Sequence, residues 1–579
     1  MHYEDILIHV GHFGKYQKLV VLALCMIQLP TACQFIAQVF LAADTDHWCL
    51  IPVSEAVNCS RFQVNSDSAC QEAQKNESIP YKLDSDGNSV LSSCERYVTA
   101  EDDGEGGRNA TDIIACDAGW DFDRSRYKAT INEDFSLVCE RKAFAGVAQS
   151  VWFAGLLAGS FVWGSVGDWV GRKAAFFLSL SLVTISSIVT SFVPNFAAYT
   201  SMRFITAACG YGASLIPIIV STEIVGPEKR VLVGTLHAIF FALGYILLSF
   251  AAFLLREWRY LQLAISLPYV AAFLLIIVFP ESPRWLISKS KFKEAKRVIG
   301  KIAKVNGTTL PENLFDEGPQ TTNLQGKEVQ FDRSRRGTHL DLVRTPNIRK
   351  KTLIIFFDWF VAVMAYYGLS LSTSALGVDD YIAAFVSGAI EIPSYLFCWF
   401  IMERLGRRLS LAGFYICGGA FCLITIFIPL GPARAAVAMI GKFSVTGAFN
   451  HIYIYSCEIY PTVVRSIGMG MSSMVGRVSG ILCPIILLLG KYWEPLPLCV
   501  FGGSSLLAGV LSLMLPETLG YDIPDTIEEG EKFGSNQGFY LCNKSNQIDD
   551  NTATDTSPPP TYLPLSTGDQ KTDDEAVSA

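Results

Sequence analysis

Charge is what this sequence has least of. Of its 579 residues only 17% are Asp, Glu, Lys or Arg, against 50% hydrophobic residues and a mean hydropathy of +0.33. A soluble chain of this length would divide into several domains with a more charged surface. Histidine is sparse, with 7 residues, and none of the 16 cysteines stands in a Cys-x-x-Cys pair. A zinc module is therefore not expected, and no metal is assigned. Nucleotide-cradling loops and nucleophile elbows are missing too, which argues against an enzyme with a cofactor of its own. Residues 1–18 lack the basic start, short apolar core and cleavage site of a signal peptide, so the first apolar block is expected to remain in the chain.

What is there is apolar sequence in uninterrupted blocks of about 20 residues, the length that crosses a hydrocarbon core of roughly 30 Å. Twelve such helices are expected. Helix 1 falls at 19–42, helices 2 to 6 within 144–279, and helices 7 to 12 within 352–515. Residues 43–143 form a polar loop, 280–351 a second one, and 516–579 a Ser/Thr/Asp-rich tail expected to be disordered.

Lys and Arg orient the chain. Arg172/Lys173, Lys229/Arg230, the 16 basic residues of 280–351, Arg404/Arg407/Arg408 and Arg465 fall on one side. The positive-inside rule makes that side cytosolic, with both termini inside. A nucleic-acid surface is the rival reading of 280–351, but a basic stretch wedged between spans is flanking charge, and no nucleic-acid partner is expected.

The loop 43–143 then faces outward. Between 43 and 140 it carries 20 acidic against 8 basic residues. It also holds six cysteines, Cys49, Cys59, Cys70, Cys94, Cys116 and Cys139, a set that reads as three disulfides in an unspecified pairing. Sequons at Asn58, Asn76 and Asn109 predict glycosylation there, whereas those at Asn306 and Asn543 should stay bare in the cytosol.

An internal repeat is legible. Gly171-Arg172 recurs as Gly406-Arg407, and Glu223 and Arg230 recur as Glu458 and Arg465, all at an offset of 235; Pro280-Glu281 recurs as Pro516-Glu517 at 236. Three matched signals imply two six-helix halves in parallel orientation, with a site between them near the bilayer midplane. Asp168, Arg172, Glu223, Arg230, Glu458 and Arg465 lie at helix ends, where they can pair in one conformation and part in another.

Ionisable groups inside hydrocarbon are expensive and by default functional. His237, Asp358, Glu391, Lys442, His451 and Arg477 fall within spans. Glu391 and Arg477 each lie 12 residues from a boundary charge, Glu403 and Arg465, hence roughly 18 Å deep at helical rise. Glu391 offers a counter-charge to an amine and Arg477 a bidentate partner to a carboxylate, so a betaine would satisfy both. Phe35, Phe240, Trp359, Tyr366, Tyr367 and Phe449 are candidates for a cation-binding ring set. His237 is either a pH-sensitive group or a hydrogen-bonded interhelical histidine. Asp358 is expected to snorkel toward the cytosolic face. Lys442 either lines the cavity or pairs with an acid, and His451 is given no role.

Motifs carry a family resemblance over residues 3 to about 527. Gly164-Ser165-Val166-Gly167-Asp168-Trp169-Val170-Gly171-Arg172-Lys173 resembles the loop signature of the major facilitator superfamily, with Trp169 where many members have a basic residue. Pro280-Glu281-Ser282-Pro283-Arg284-Trp285-Leu286 and Glu458-Ile459-Tyr460-Pro461-Thr462-Val463-Val464-Arg465 resemble the organic cation, carnitine and organic anion solute carriers. So do Tyr366-Tyr367-Gly368-Leu369-Ser370-Leu371 and Ile390-Glu391-Ile392-Pro393-Ser394-Tyr395, which are similar to the carnitine branch. The resemblance implies an all-α membrane protein of the major facilitator fold, moving small organic cations and zwitterions across the plasma membrane by alternating access. It implies a cavity of Phe35, Ser214, His237, Phe240, Tyr366, Glu391, Phe449, Asn450 and Arg477. Cation carriers usually have Asp at the position matched by Arg477, whereas carnitine-type and organic anion members have Arg. His237 stands where cation members often have Gln, and Ser214 where some have Trp.

Carnitine-like solutes are thus the expected cargo, with Na+ coupling an open option and an organic anion exchanger the alternative within the family. A receptor or scaffold using the acidic loop is the alternative of another class, but a static anchor has no use for paired switch motifs. Pro559-Pro560-Thr561-Tyr562 matches the P-P-x-Y pattern of WW-domain ligands and makes a WW-domain protein a possible partner.

Overall fold

A computed structural model describes residues 3–51, 67–83, 89–97, 113–309, 338–521 and 523–535. These residues form one compact unit. Twelve long helices dominate it: α1 (Lys15–Leu41), α2 (Ala143–Val170), α3 (Arg172–Thr190), α4 (Phe196–Glu223), α5 (Arg230–Leu254), α6 (Trp258–Ile277), α7 (Pro346–Leu371), α8 (Asp380–Leu405), α9 (Arg407–Ile426), α10 (Pro432–Ile459), α11 (Arg465–Leu488) and α12 (Leu496–Ser512). All but α10 and α12 are long and apolar enough to span a bilayer by composition alone. α12 has 17 residues, and α10 is diluted mid-span by Lys442, Asn450 and His451. The helices carry many large apolar side chains on the outer surface, such as Ile185, Leu274 and Ile277 at 62%, 70% and 74% exposure. That is the mark of a chain solvated by lipid rather than water.

The turns α2–α3 and α8–α9 are built alike. Gly171 and Gly406 take φ of +107° and +83°, a region closed to residues with a Cβ. A carboxylate then caps each following helix. Glu281 accepts from the amides of Arg172 at 2.7 Å and Lys173 at 3.2 Å, and Glu517 from those of Arg407 at 2.7 Å and Arg408 at 3.0 Å. The repeated Pro-Glu therefore supplies an anion to a helix N-terminus in each half.

The polar stretch after 516 does not leave the fold at once. Glu531, on a short helix Ile527–Lys532, accepts from the amides of Asn347 and Ile348 at 2.8 and 2.9 Å and so caps α7. Lys351 donates to the Gly530 carbonyl at 2.9 Å. Disorder from 516 is thus corrected as far as residue 535: a tail with few apolar residues is held by its polar contacts, which hydropathy does not report. At the other terminus Asn306 donates to the Val10 carbonyl at 3.0 Å and the Gln17 amide oxygen at 2.9 Å, and accepts from the Tyr16 amide at 3.0 Å. A side-chain nitrogen so engaged is not available to a glycan.

Among the described residues between α1 and α2 lie three two-stranded antiparallel sheets, His47–Cys49 with Trp120–Phe122, Tyr81–Leu83 with Ser89–Leu91, and Glu95–Tyr97 with Ile113–Ala115. Cys49 bonds Cys116, and Cys94 bonds Cys139. Asn58, Cys59 and Asn109 lie outside the described residues, as does Pro559–Tyr562, and the Cys70 side chain is not described. Asn76 accepts from the Tyr81 hydroxyl at 3.2 Å on the exposed surface.

Arg96, 4% exposed, pairs bidentately with Asp117 at 2.8 and 3.0 Å. That hydrogen bonding holds the Asp117 carboxyl down at about 2, below an unfolded value of about 3.9. The pair therefore adds stability that is complete above the unfolded value and is lost only as pH falls through about 2. Limited proteolysis of this segment should be unchanged on mild acidification to about pH 5. Asp117→Asn, which leaves Arg96 without its carboxylate, should speed cleavage at neutral pH.

Candidate substrate site between the two helix bundles

The halves α1–α6 and α7–α12 touch along α2/α11 and α5/α8. At the Cys-rich end Ser150 donates to the Ile481 carbonyl at 2.8 Å, and Gly480 lies against the Phe153 ring. Gly388 of α8 admits Tyr245 and Ile246 of α5 so closely that a Cβ would stand 3.1 and 3.2 Å from them. Arg126 and Tyr127, at the end of the disulfide-bonded segment, both reach Asp380 at 3.1 Å, and the Tyr381 ring stacks on Phe40 at 5.7 Å. These contacts close the face from which the Cys-rich segment projects.

Deeper in, aromatic rings run from one half to the other. Phe35 of α1 stacks on Tyr367 of α7 at 6.4 Å and meets Trp152 and Phe241 edge-on at 5.8 and 5.7 Å. Phe153 of α2 meets Tyr367 at 4.7 Å, and Tyr366 stacks on Phe449 at 5.1 Å. Two charges border this shell. Tyr367 lies within electrostatic reach of both Arg477 and Glu391.

Glu391 is fully buried, and its carboxylate is satisfied by the protein. Tyr366 and Tyr395 donate to its two oxygens at 2.8 and 3.1 Å, and the Lys442 ammonium stands 3.2 Å away. Lys442, 2% exposed at its side chain, also donates to the Ser370 hydroxyl and lies over the rings of Tyr366 at 4.7 Å and Tyr245 at 5.3 Å. This settles Lys442 as an acid's partner. It also corrects the expectation of a free counter-charge at Glu391, because a carboxylate in a dry interior must be paired.

Arg477 is different. One guanidinium nitrogen donates to the Ser473 carbonyl at 2.8 Å and to its hydroxyl, and another to the Tyr211 hydroxyl at 2.5 Å, with the Tyr211 ring 4.5 Å below. Among the described residues no carboxylate lies within ion-pair distance of it. Glu391 and Lys442 pair with each other, which leaves Arg477 without an acid. Its contact with Tyr211 spans the halves, since Tyr211 belongs to α4 and Arg477 to α11.

The remaining expected cavity residues separate. Ser214 and His237 form a hydrogen-bonded group with Gln28 and Ser221 inside the first half; His237 is 3.1 Å from Ser221 and 3.4 Å from Gln28. Phe240 packs against the apolar cluster of that half. The Asn450 amide lies 3.8 Å from the Cys398 sulfur. Asp358 does not snorkel: it is fully buried and accepts from Ser512 at 3.0 Å. His451 is buried beside Cys398. Tyr211, Trp152 and Tyr245 were not anticipated, because a tyrosine or tryptophan among so many apolar residues carries no mark of which way it faces. Arg203 also escaped notice. It is fully buried, hydrogen-bonded to the Gln34 carbonyl and Gln149 at 3.3 Å each, and lies over Trp152 at 4.0 Å.

The switch residues pair across helices more than along them. Arg172 binds Asp168 at 2.6 Å and Glu223 at 3.3 Å, and Arg407 binds Glu458 at 3.1 Å. The sequence spacing had matched Glu223 with Arg230 and Glu458 with Arg465. Arg465 instead donates to the Tyr460 carbonyl and the Thr462 hydroxyl, at 3.2 and 3.1 Å. Folding brings Glu223 to the start of α3 and Glu458 to the start of α9, a proximity that spacing along one loop does not show.

Comparison with known proteins agrees with this architecture. The family profile described as "Sugar (and other) transporter" matches residues 108–523. The chain is 38% identical to the "Organic cation transporter protein" of Drosophila melanogaster, over 92% of this chain and 95% of that protein. It is 34% identical to the human "Organic cation/carnitine transporter 2", over 91% and 93%. Its fold matches the major facilitator proton:xylose symporter XylE with a TM-score of 0.52 at 15% identity, covering 89% of this chain and 99% of that one.

Proposed function

Since the chain belongs to the organic cation, carnitine and organic anion solute carriers of the major facilitator superfamily, and is a membrane transporter rather than an enzyme, we propose that it carries small carboxylate-bearing organic solutes, carnitine-like zwitterions first, across the plasma membrane by alternating access. One observation carries this reading: Arg477, mid-span and joined across the halves to Tyr211, has no carboxylate of the described protein within ion-pair distance, whereas Arg203, which also lacks one, is fully buried inside the first half. A guanidinium held by a carbonyl and two hydroxyls keeps donors for a bidentate carboxylate. The cationic end of a zwitterion is then received by ring faces, those of Phe35, Tyr367 and Phe449, rather than by Glu391. The named carnitine relative supports the same class.

An Arg477 without an acid also favours a second reading, an organic anion carrier. The same proposal has both termini in the cytosol, on the side of the Lys/Arg clusters, and the disulfide-bonded segment outside, as the positive-inside rule and disulfide chemistry favour. Uptake of labelled carnitine, tetraethylammonium and p-aminohippurate in oocytes, with sodium and with N-methylglucamine in its place, tests the reading. Carnitine should be taken up well above tetraethylammonium, and a fall on sodium removal would add Na+ coupling. Dominant p-aminohippurate uptake would select the anion reading, and dominant tetraethylammonium uptake would overturn both.

A further inference from the structure

We propose that Lys442 is a resident cation that occupies the ammonium position at Glu391 and thereby excludes plain organic cations from this carrier. The proposal deepens the reading above and rests on the same site. Everything an organic ammonium needs is assembled around the Lys442 nitrogen: a carboxylate oxygen at 3.2 Å, a hydroxyl from Ser370, and two aromatic faces at 4.7 and 5.3 Å. A tertiary or quaternary amine would use the carboxylate and the rings in the same way. The place is taken by the protein's own side chain, at effective concentrations no free solute matches.

Geometry also ties this place to the moving interface. Lys442 is on α10, Glu391 on α8, Ser370 and Tyr366 on α7, and Tyr245 on α5 of the other half. The Tyr245 hydroxyl donates toward the Ser370 carbonyl at 3.4 Å and the Ser387 hydroxyl at 3.3 Å, so the ammonium underlies a contact between halves. A solute cation could reach Glu391 only by displacing Lys442 into hydrocarbon or toward Arg477, and both are electrostatically uphill. A solute that brings a carboxylate to Arg477 needs no such displacement. Discrimination against plain cations thus comes from a repulsive element built into the site.

Lys442→Met tests this by removing the charge at similar volume. Tetraethylammonium uptake per surface transporter, measured with biotinylation, should rise about tenfold, roughly 1.4 kcal/mol. Lys442→Met combined with Glu391→Gln should abolish the gain. A surface-expressed Lys442→Met without increased uptake, or a gain that persists in the double variant, overturns the proposal. Should Lys442→Met fail to reach the surface, Glu391→Gln decides: it frees Lys442, so p-aminohippurate should compete better, and unchanged or weaker competition is the contradicting result. The tetraethylammonium gain needs no carnitine transport. A wild type that ignores carnitine therefore removes the carboxylate reading without deciding the role of Lys442.

Discussion

Arg477→Gln should lower carnitine uptake, as Vmax/KM, by about 10- to 100-fold, because a charge-assisted hydrogen bond contributes about 1.5–3 kcal/mol. The variant should reach the surface, since the native guanidinium is held only by Ser473 and Tyr211 and leaves no buried carboxylate behind. Arg477→Lys should retain part of the activity, as a point charge cannot grip both carboxylate oxygens. Arg477→Asp should abolish carnitine uptake and shift what remains toward plain cations. Initial-rate uptake normalised to surface protein measures all three. A wild-type Vmax/KM in Arg477→Gln would remove this residue from the site.

Gly388→Trp should reduce transport of every substrate by about tenfold or more, because overpacking a close approach costs about 1–3 kcal/mol and here it opposes one conformation. At Gly388 even a single added carbon would stand 3.1 Å from the Tyr245 ring and 3.2 Å from the Ile246 backbone. Gly388 and these two residues belong to opposite halves, so the bulk should hold the Cys-rich face apart rather than unfold either bundle. The Arg126–Asp380 bridge, 3.1 Å in the closed arrangement, should then be broken. Cysteines placed at those two positions should be joined by a bifunctional thiol reagent long enough to span the Arg–Asp pair in the parent and not in the Gly388→Trp background. Normal uptake with intact cross-linking would show that α5 and α8 need not approach this closely.

The helices and their repeat were legible because bilayer thickness and Lys/Arg placement write themselves into sequence at fixed length and side. The repeated Pro-Glu was visible as a signal, but its work as a helix cap was not, since Glu281 and Arg172 are 109 residues apart. The depth of Glu391 and Arg477 followed from counting along a helix. Their state of pairing did not, because a lysine on α10 and a glutamate on α8 meet only through tertiary packing. Asp358 looked near enough to a helix end to reach water, yet α12 covers it through Ser512. The tail helix at 527–532 was missed for the opposite reason: it docks by backbone carbonyls and a capping glutamate, with little apolar surface to betray it.

One carboxylate on the solute, met by Arg477, is what the whole assignment turns on. The most direct measurement compares carnitine with choline, which keeps the quaternary ammonium and lacks the carboxylate, as competitors for labelled carnitine uptake in parent and Arg477→Gln. In the parent, carnitine should inhibit at concentrations about tenfold or more below choline, and the two should become equal in Arg477→Gln. Equal inhibition in the parent, or a preference that survives loss of the guanidinium, would contradict it.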